Sequence, residues 1–265
     1  MTDAPVRIEA VDGVLRITLD RPSHKNSLTP TSVRTIIEAL EPAAHDDTLR
    51  VVLLTSSGDD FCSGADIVAS NPSDGDRPRV GNLQRRTAVQ AHRLIEVLTT
   101  IQLPVVGAVR GWAAGLGCQL ALAADFTVAA DDATFWEPFV SRGFTPDSGA
   151  TWLLPRLVGV ARAKELLLLG EQISGRQAAE WGMIHRAVPA DEVATVAESL
   201  VTRLAAGPTV AIGLTKHAIH RSLELSMTDA MANEAMALEL SSRSPDFREG
   251  LAAFKERRDP SFGGR

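Results

Sequence analysis

The chain has 265 residues, with 27 lysines and arginines against 33 aspartates and glutamates, for a net charge of −6 at pH 7. That balance excludes general nucleic-acid binding, which needs an excess of positive charge to meet phosphates. Hydrophobic residues make up 45% of the chain and the mean hydropathy is +0.02, as in a globular protein with no run long enough to span a membrane. The polar Met1-Thr2-Asp3 opening lacks signal-peptide character. Two cysteines, Cys62 and Cys118, make neither a disulfide framework nor a zinc set, so the expected home is a reducing cytoplasm.

Residues 6–9 and 14–19 alternate apolar and polar around Asp12-Gly13, predicting a β-hairpin. An extended loop through Lys25 and Asn26 follows. Pro30 then suits a first helical turn, and Val33, Ile36, Ile37 and Leu40 give that helix an apolar face. Residues 50–55 read as a buried strand, ending in a loop that carries Asp59, Asp60 and the segment FCSGADI at 61–67. The polar stretch 70–82 predicts a surface loop and a lid, with a helix from about Leu83 to Thr100 behind it.

Residues 103–109, LPVVGAV, predict a buried strand that breaks at Gly111. Leu116 opens a segment with Leu120 and Ala123 at helical spacing. A strand, a turn bearing Gly111, Gly115 and Gly117, and a helix start together leave backbone N–H groups unpaired. Such a turn suits a negative group, or one that becomes negative during a reaction. The structural alternative is a helix packed close to a strand through small residues. The turn also resembles the phosphate turn of short-chain dehydrogenases, but those enzymes rely on a Tyr-x-x-x-Lys pair and this chain has no tyrosine.

Short strands are expected near 126–128 and 133–135, and a helix start near 143–149. From Ala161 onward the pattern is helical, interrupted once by a short strand near 186–188. Helix–strand alternation followed by helices predicts an α/β core with a helical C-terminal part, dividing near Gly159 or Gly207-Pro208.

Four segments in one register resemble the crotonase (enoyl-CoA hydratase/isomerase) superfamily. They are ITLDRP with NSL at 17–28, FCSGADI at 61–67, GWAAGLGCQL at 111–120, and the tail SPDFREGLAAFKERR at 244–258 with Pro260 and Phe262. The resemblance spans essentially the whole chain. It implies a spiral of β-β-α turns over residues 1–200 and a helical trimerisation region over 201–265, assembled as a homotrimer or a dimer of trimers. It also implies an acyl-coenzyme A substrate, with no metal and no cofactor beyond the coenzyme A carried by that substrate. Two backbone N–H groups, at Ala65 and Leu116 by motif position, would hold the thioester oxygen as it becomes an enolate. Gly64, Asp66, Ile67, Gly115, Gln119, Phe139 and Lys25 would line the acyl thioester, pantetheine and diphosphate, while Phe254, Arg257 and Arg258 would meet the nucleotide.

Family hydratases use two glutamates to add water, and here those positions hold Gln119 and Phe139, neither of which exchanges protons near neutral pH. Glu137, two residues before Phe139, shares its face on an extended segment and stays open as a candidate. The remaining carboxylate is Asp147, in the segment TPDSGATWLLPRL. Pro-Asp-Ser-Gly before a helix is ordinary capping chemistry. The segment nevertheless resembles that of 1,2-epoxyphenylacetyl-CoA isomerase-type members, and dienoyl-CoA isomerases and 4-chlorobenzoyl-CoA dehalogenase carry an active-site aspartate at the corresponding place. The resemblance therefore implies isomerisation of an enoyl-type acyl-CoA with Asp147 as acid/base. A true hydratase, a dehalogenase or hydrolase with Asp147 as nucleophile, and a non-catalytic acyl-CoA-binding protein are the alternatives.

Overall fold

The structure is a computed structural model and describes residues 4–66 and 79–265. The hairpin forms as expected, β1 (Val6–Val11) pairing antiparallel with β2 (Val14–Leu19), and Val11 faces Val14 across the Asp12-Gly13 turn. Asp12 and Gly13 both take positive φ, the geometry that tight hairpin turns require. From β2 onward the main sheet is parallel. It runs through β3 (Val51–Ser56), β4 (Val105–Val109), β6 (Phe126–Ala130) and β9 (Arg186–Val188), in the order β1-β2-β3-β4-β6-β9. β4 is buried at all five positions, which is why its sequence is continuously apolar.

A second sheet has the order β5-β7-β8, from β5 (Trp112–Ala114), β7 (Thr134–Trp136) and β8 (Gln172–Ser174). Isolated parallel bridges between Leu28 and Ala65 and between Cys62 and Ala113 continue its pairing into earlier turns of the chain. Each turn of the spiral thus places one segment in the large sheet and one beside the small sheet. The architecture is α/β, as the sequence implied.

Helix α1 (Pro30–Ala43) begins in a capping box between Thr29 and Ser32 and buries Val33, Ile36 and Leu40. Helical chain then runs from α2 (Asn82–Thr87) through a π-turn at Ala88–His92 into α3 (Arg93–Thr100). Of the expected loop and lid at 70–82, residues 70–78 lie outside the described residues, and Asn82 already belongs to α2. Helix α4 (Leu116–Ala123) is buried throughout, and α5 (Ala150–Lys164) kinks at Gly159. Beyond it lie α6 (Gly175–Glu180), α7 (Val193–Ala205), α8 (Thr209–Ser222), α9 (Met227–Ser241) and α10 (Pro245–Glu256).

One expectation is corrected. The helical C-terminal half is interrupted twice, because β8 precedes β9. Its three residues bury only Ile173, too short a stretch for alternation to register. The C-terminal helices are fastened to the core by Lys216 of α8, whose ammonium meets Asp125 Oδ2 at 2.7 Å and the Leu98 and Leu103 carbonyls at 3.2 Å. Burial lowers the Lys216 pKa, and the Asp125 charge opposes that shift. Among the described residues, no helix is long and apolar enough to cross a membrane.

Two glycines allow the turns of the spiral to touch. A Cβ on Gly117 would stand 2.3 Å from the Cys62 carbonyl oxygen, and one on Gly64 would stand 2.7 Å from that of Ala114. A glycine-to-alanine change inside a helix normally stabilises by about 1 kcal/mol. At Gly117 the added methyl meets backbone that cannot swing aside, and overpacking of this kind costs about 1–3 kcal/mol. The Gly117→Ala variant is therefore expected to melt below the parent despite its better helix propensity, as thermal unfolding followed by circular dichroism would record.

Candidate active site

The glycine-bearing turn folds as the sequence predicts. Gly115 caps α4 and Leu116 is its first residue, so the Leu116 N–H has no partner within the helix. The segment carrying Ala65 is laced onto the same turn. Cys62 N–H donates to the Trp112 carbonyl at 2.7 Å and Ala114 N–H to the Cys62 carbonyl at 2.9 Å. Gly64 completes the approach, since a Cβ there would lie 3.6 Å from the Leu116 nitrogen. Ala65 itself is exposed, and its neighbours do the pairing, Leu28 N–H to the Gly64 carbonyl and Asp66 N–H to the Leu28 carbonyl, both at 2.8 Å. The Ala65 and Leu116 amides thus come from consecutive turns of the spiral and share one neighbourhood. A helix N-terminus adds partial positive charge there, so the place suits an oxygen that gains negative charge.

Asp147 precedes α5 in an unusual posture. Ser148 and Gly149 both take left-handed conformations, with φ of 53° and 82°, and Gly149 caps the helix with no side-chain cap bond. Asp147 is therefore no helix cap. Its main-chain carbonyl accepts from Ala150 N–H at 3.0 Å, and its carboxylate is exposed, with Oδ1 accepting from Ser148 Oγ at 2.7 Å. A buried non-glycine residue in the left-handed region is strained, and such strain gathers at functional sites. Sequence reasoning missed Ser148, whose only signal was its place between Asp147 and Gly149.

The two positions that hold glutamates in family hydratases are buried here. Phe139 packs edge-on against Phe144, with ring centroids 5.6 Å apart. Gln119 is 0% exposed, and its Nε2 donates to Glu137 Oε1. Glu137 is 1% exposed, and burial pushes its carboxyl up to about 8, with the Asp147 charge adding to the shift. The Gln119–Glu137 pair was not foreseen, because the partners are 18 positions apart on different elements. Cys62 and Cys118 are buried thiols, Cys62 pushed up to about 12 by burial and Cys118 raised by burial and Glu137, which is the wrong direction for a nucleophile.

The residues expected to meet coenzyme A divide in two. Lys25 lies close by, its ammonium 3.6 Å from Asp60 Oδ2 and 5.4 Å from the Trp112 ring centroid. Asp66 accepts from Arg21 at 3.2 Å, and Ile67 lies outside the described residues. Phe254, Arg257 and Arg258 stand on or just beyond α10. Phe254 is 84% exposed, Arg257 ends the helix in a left-handed conformation, and Arg258 is held by Glu249 at 2.5 Å and Glu256 at 2.7 Å.

The sequence profile of the enoyl-CoA hydratase/isomerase family matches residues 9–265. The chain is 40% identical over 254 residues to the 1,2-epoxyphenylacetyl-CoA isomerase of Escherichia coli K12, covering 96% of each chain. It is 32% identical over 252 residues to the 2,3-dehydroadipyl-CoA hydratase of the same strain, covering 95% of this chain and 96% of that one. The crystal structure of an enoyl-CoA hydratase from Bacillus anthracis superposes with a TM-score of 0.91 at 30% identity, covering 99% of this chain and 100% of that chain. The helix start, the interlocked glycines and the full-length match agree: this chain belongs to the enoyl-CoA hydratase/isomerase family of acyl-CoA enzymes, on the crotonase fold.

Proposed function

We propose that the chain isomerises an enoyl-type acyl-CoA, moving a double bond by proton transfer through a thioester enolate. The observation that carries this reading is the posture of Asp147. Its carboxylate is exposed, takes no part in capping and is backed by the Ser148 hydroxyl, while Gln119 and Phe139 occupy the positions of the water-adding glutamates. In this reading the Ala65 and Leu116 N–H groups hold the thioester oxygen. Asp147 removes a proton from one carbon, and the electrons move onto the oxygen to form the enolate. Asp147 then returns the proton two carbons away as the electrons move back. Gly64 and Gly115 give the thioester close access to the main chain.

Lys25, Asp66 and Ile67 border the pantetheine and diphosphate in this scheme, and Phe254, Arg257 and Arg258 meet the nucleotide. The apolar residues exposed on α9, among them Met227, Met231 and Leu238, then serve contacts in a homotrimer or a dimer of trimers, with 201–265 as the trimerisation region. The expected setting is cytoplasmic.

Incubation with a 2-enoyl-CoA and a 3-enoyl-CoA, with products followed by chromatography and mass, tests the reaction. Isomerisation interconverts the two at unchanged mass, whereas addition of water to the 2-enoyl-CoA would mark a hydratase and refute the proposal. Asp147→Asn keeps the shape and removes the exchangeable proton, so turnover is expected to fall about 10²–10⁴-fold with acyl-CoA binding retained. Gln119→Ala is expected to cost far less. The reverse ranking would remove Asp147 from the mechanism. Leu116→Pro addresses the oxyanion donor, since proline is tolerated at a first helical position and carries no N–H. Loss of one such donor costs about 10²–10³-fold in turnover, and a calorimetric scan of the same variant would confirm that the fold persists.

A further inference from the structure

The chain buries one carboxyl for which the proposed chemistry has no use. Glu137 follows β7, and the register sets it beside the glycine turn. Ala114 pairs with Trp136 across the small sheet, and Gly115 N–H donates to the Trp136 carbonyl at 2.9 Å. From α4, Gln119 Nε2 donates to Glu137 Oε1, and the Cys118 thiol lies near enough to this carboxyl to influence its titration. The first turn of the helix therefore converges on the end of β7, with Glu137 at the meeting point.

Two oxygens in this cluster are fully buried and lack a hydrogen-bond partner, Gln119 Oε1 and Glu137 Oε2. Each shares a carbon with an atom already in the Gln119–Glu137 hydrogen bond. Two acceptors cannot satisfy one another, and leaving both orphaned is costly. One proton on Glu137 Oε2 resolves both, because it turns that oxygen into a donor for Gln119 Oε1 and closes a ring of two hydrogen bonds.

We propose that Glu137 is a positioning residue of the acyl-CoA site: its carboxyl, protonated at Oε2, clasps the Gln119 amide through two hydrogen bonds and so pins the first turn of α4, and the Leu116 N–H with it. The inference rests on reading Leu116 as an oxyanion donor. The environment agrees with a held proton, since burial pushes this carboxyl up to about 8. The titratable groups facing it are the Cys118 thiol from α4 and the Asp147 carboxylate from the loop before α5, neither of which brings positive charge. The nearby Arg142 guanidinium lies over the Trp136 ring, 5.7 Å from its centroid, and among the described residues no cation forms an ion pair with Glu137. The neutral form also serves the chemistry. An ionised Glu137 beside the turn would oppose the negative charge that develops on the thioester oxygen.

The test compares the parent, Glu137→Gln and Glu137→Ala from about pH 6 to about pH 9. Turnover of a 3-enoyl-CoA by the parent is expected to fall above pH 8 by about tenfold per pH unit. Glutamine mimics the protonated acid, so Glu137→Gln should restore most of the turnover that Glu137→Ala loses, without the alkaline fall. Melting temperature supplies a readout free of substrate. The carboxyl titrates near 4.5 in the unfolded chain and about 8 in the fold, so its stabilising effect is full below 4.5 and is lost as pH rises to 8. Relative to the parent, Glu137→Gln should therefore gain stability across that window. An unchanged alkaline fall in Glu137→Gln, or parallel melting curves, would overturn the inference. Equal inactivity of the glutamine and alanine variants would also overturn it, by making the carboxyl itself the proton carrier. An active Asp147→Asn variant would sink the proposed proton transfer while leaving the Glu137 comparison readable.

Discussion

The site exists because two stretches of main chain touch with no side chain between them. Gly117 lies against the Cys62 carbonyl and Gly64 against that of Ala114, each so close that one methyl group would not fit. That contact lets the Cys62–Ala113 bridge form, and the bridge fixes the height of one spiral turn over the next. A parallel sheet alone would space its turns by strand separation and leave the helix start free to slide. The interlock removes that freedom. The Leu116 and Ala65 amides are consequently positioned by covalent geometry and close packing, with no long side chain to order when a ligand arrives.

Among the described residues, no buried cation pairs with the carboxyl groups at this point. Asp147 stands exposed, Glu137 is buried nearby with its carboxyl pKa raised by burial, and the proposed reaction adds negative charge on the thioester oxygen. Lys25, whose ammonium lies 5.4 Å from the Trp112 ring centroid, is more than half exposed and engaged with Asp60, and the tail arginines lie on another element. The balancing influence comes from unpaired amides and the start of α4, which are fixed in direction and cannot move away with a counter-ion. A buried carboxyl that keeps its proton adds no charge against that influence, and the proposed proton on Glu137 would also give the two orphan oxygens of the Gln119–Glu137 pair a shared hydrogen bond.

The parts of the fold that were legible in the sequence are those whose signals are local. Asp12-Gly13 between alternating strands, Pro30 ahead of an amphipathic face and the continuous apolar run of β4 each carry their own cause. β8 escaped notice because one buried isoleucine in three residues has no period. The glycine turn was visible as a turn, and its partner in space came from family resemblance, since nothing in FCSGADI alone says which strand it will meet. Asp147 was legible as a carboxylate and misleading as a motif. Pro-Asp-Ser-Gly reads as a cap, and only the left-handed Ser148 and Gly149 reveal that the helix is capped two residues later. The Gln119–Glu137 pair depends on the register between β5 and β7, a long-range quantity that no single-segment pattern encodes.

The division between main-chain and side-chain contributions explains how one fold carries differently named chemistries. The isomerase and the hydratase of one bacterial strain both match nearly the whole of this chain, so the scaffold does not choose between them. An amide donor is indifferent to its side chain, and leucine can therefore stand at position 116, where the family usually has glycine, without removing an N–H. Positions 119 and 139 answer to no such constraint. In the proposed reaction, replacing proton-exchanging groups there alters what happens to an enolate and leaves the main-chain donors in place. What those substitutions must still satisfy is burial. Gln119 brings an amide into a closed space where the helix's first turn meets β7, and an amide needs partners. Glu137 supplies one, so the change that makes position 119 inert toward protons also creates the demand that a carboxyl two residues ahead of Phe139 meets.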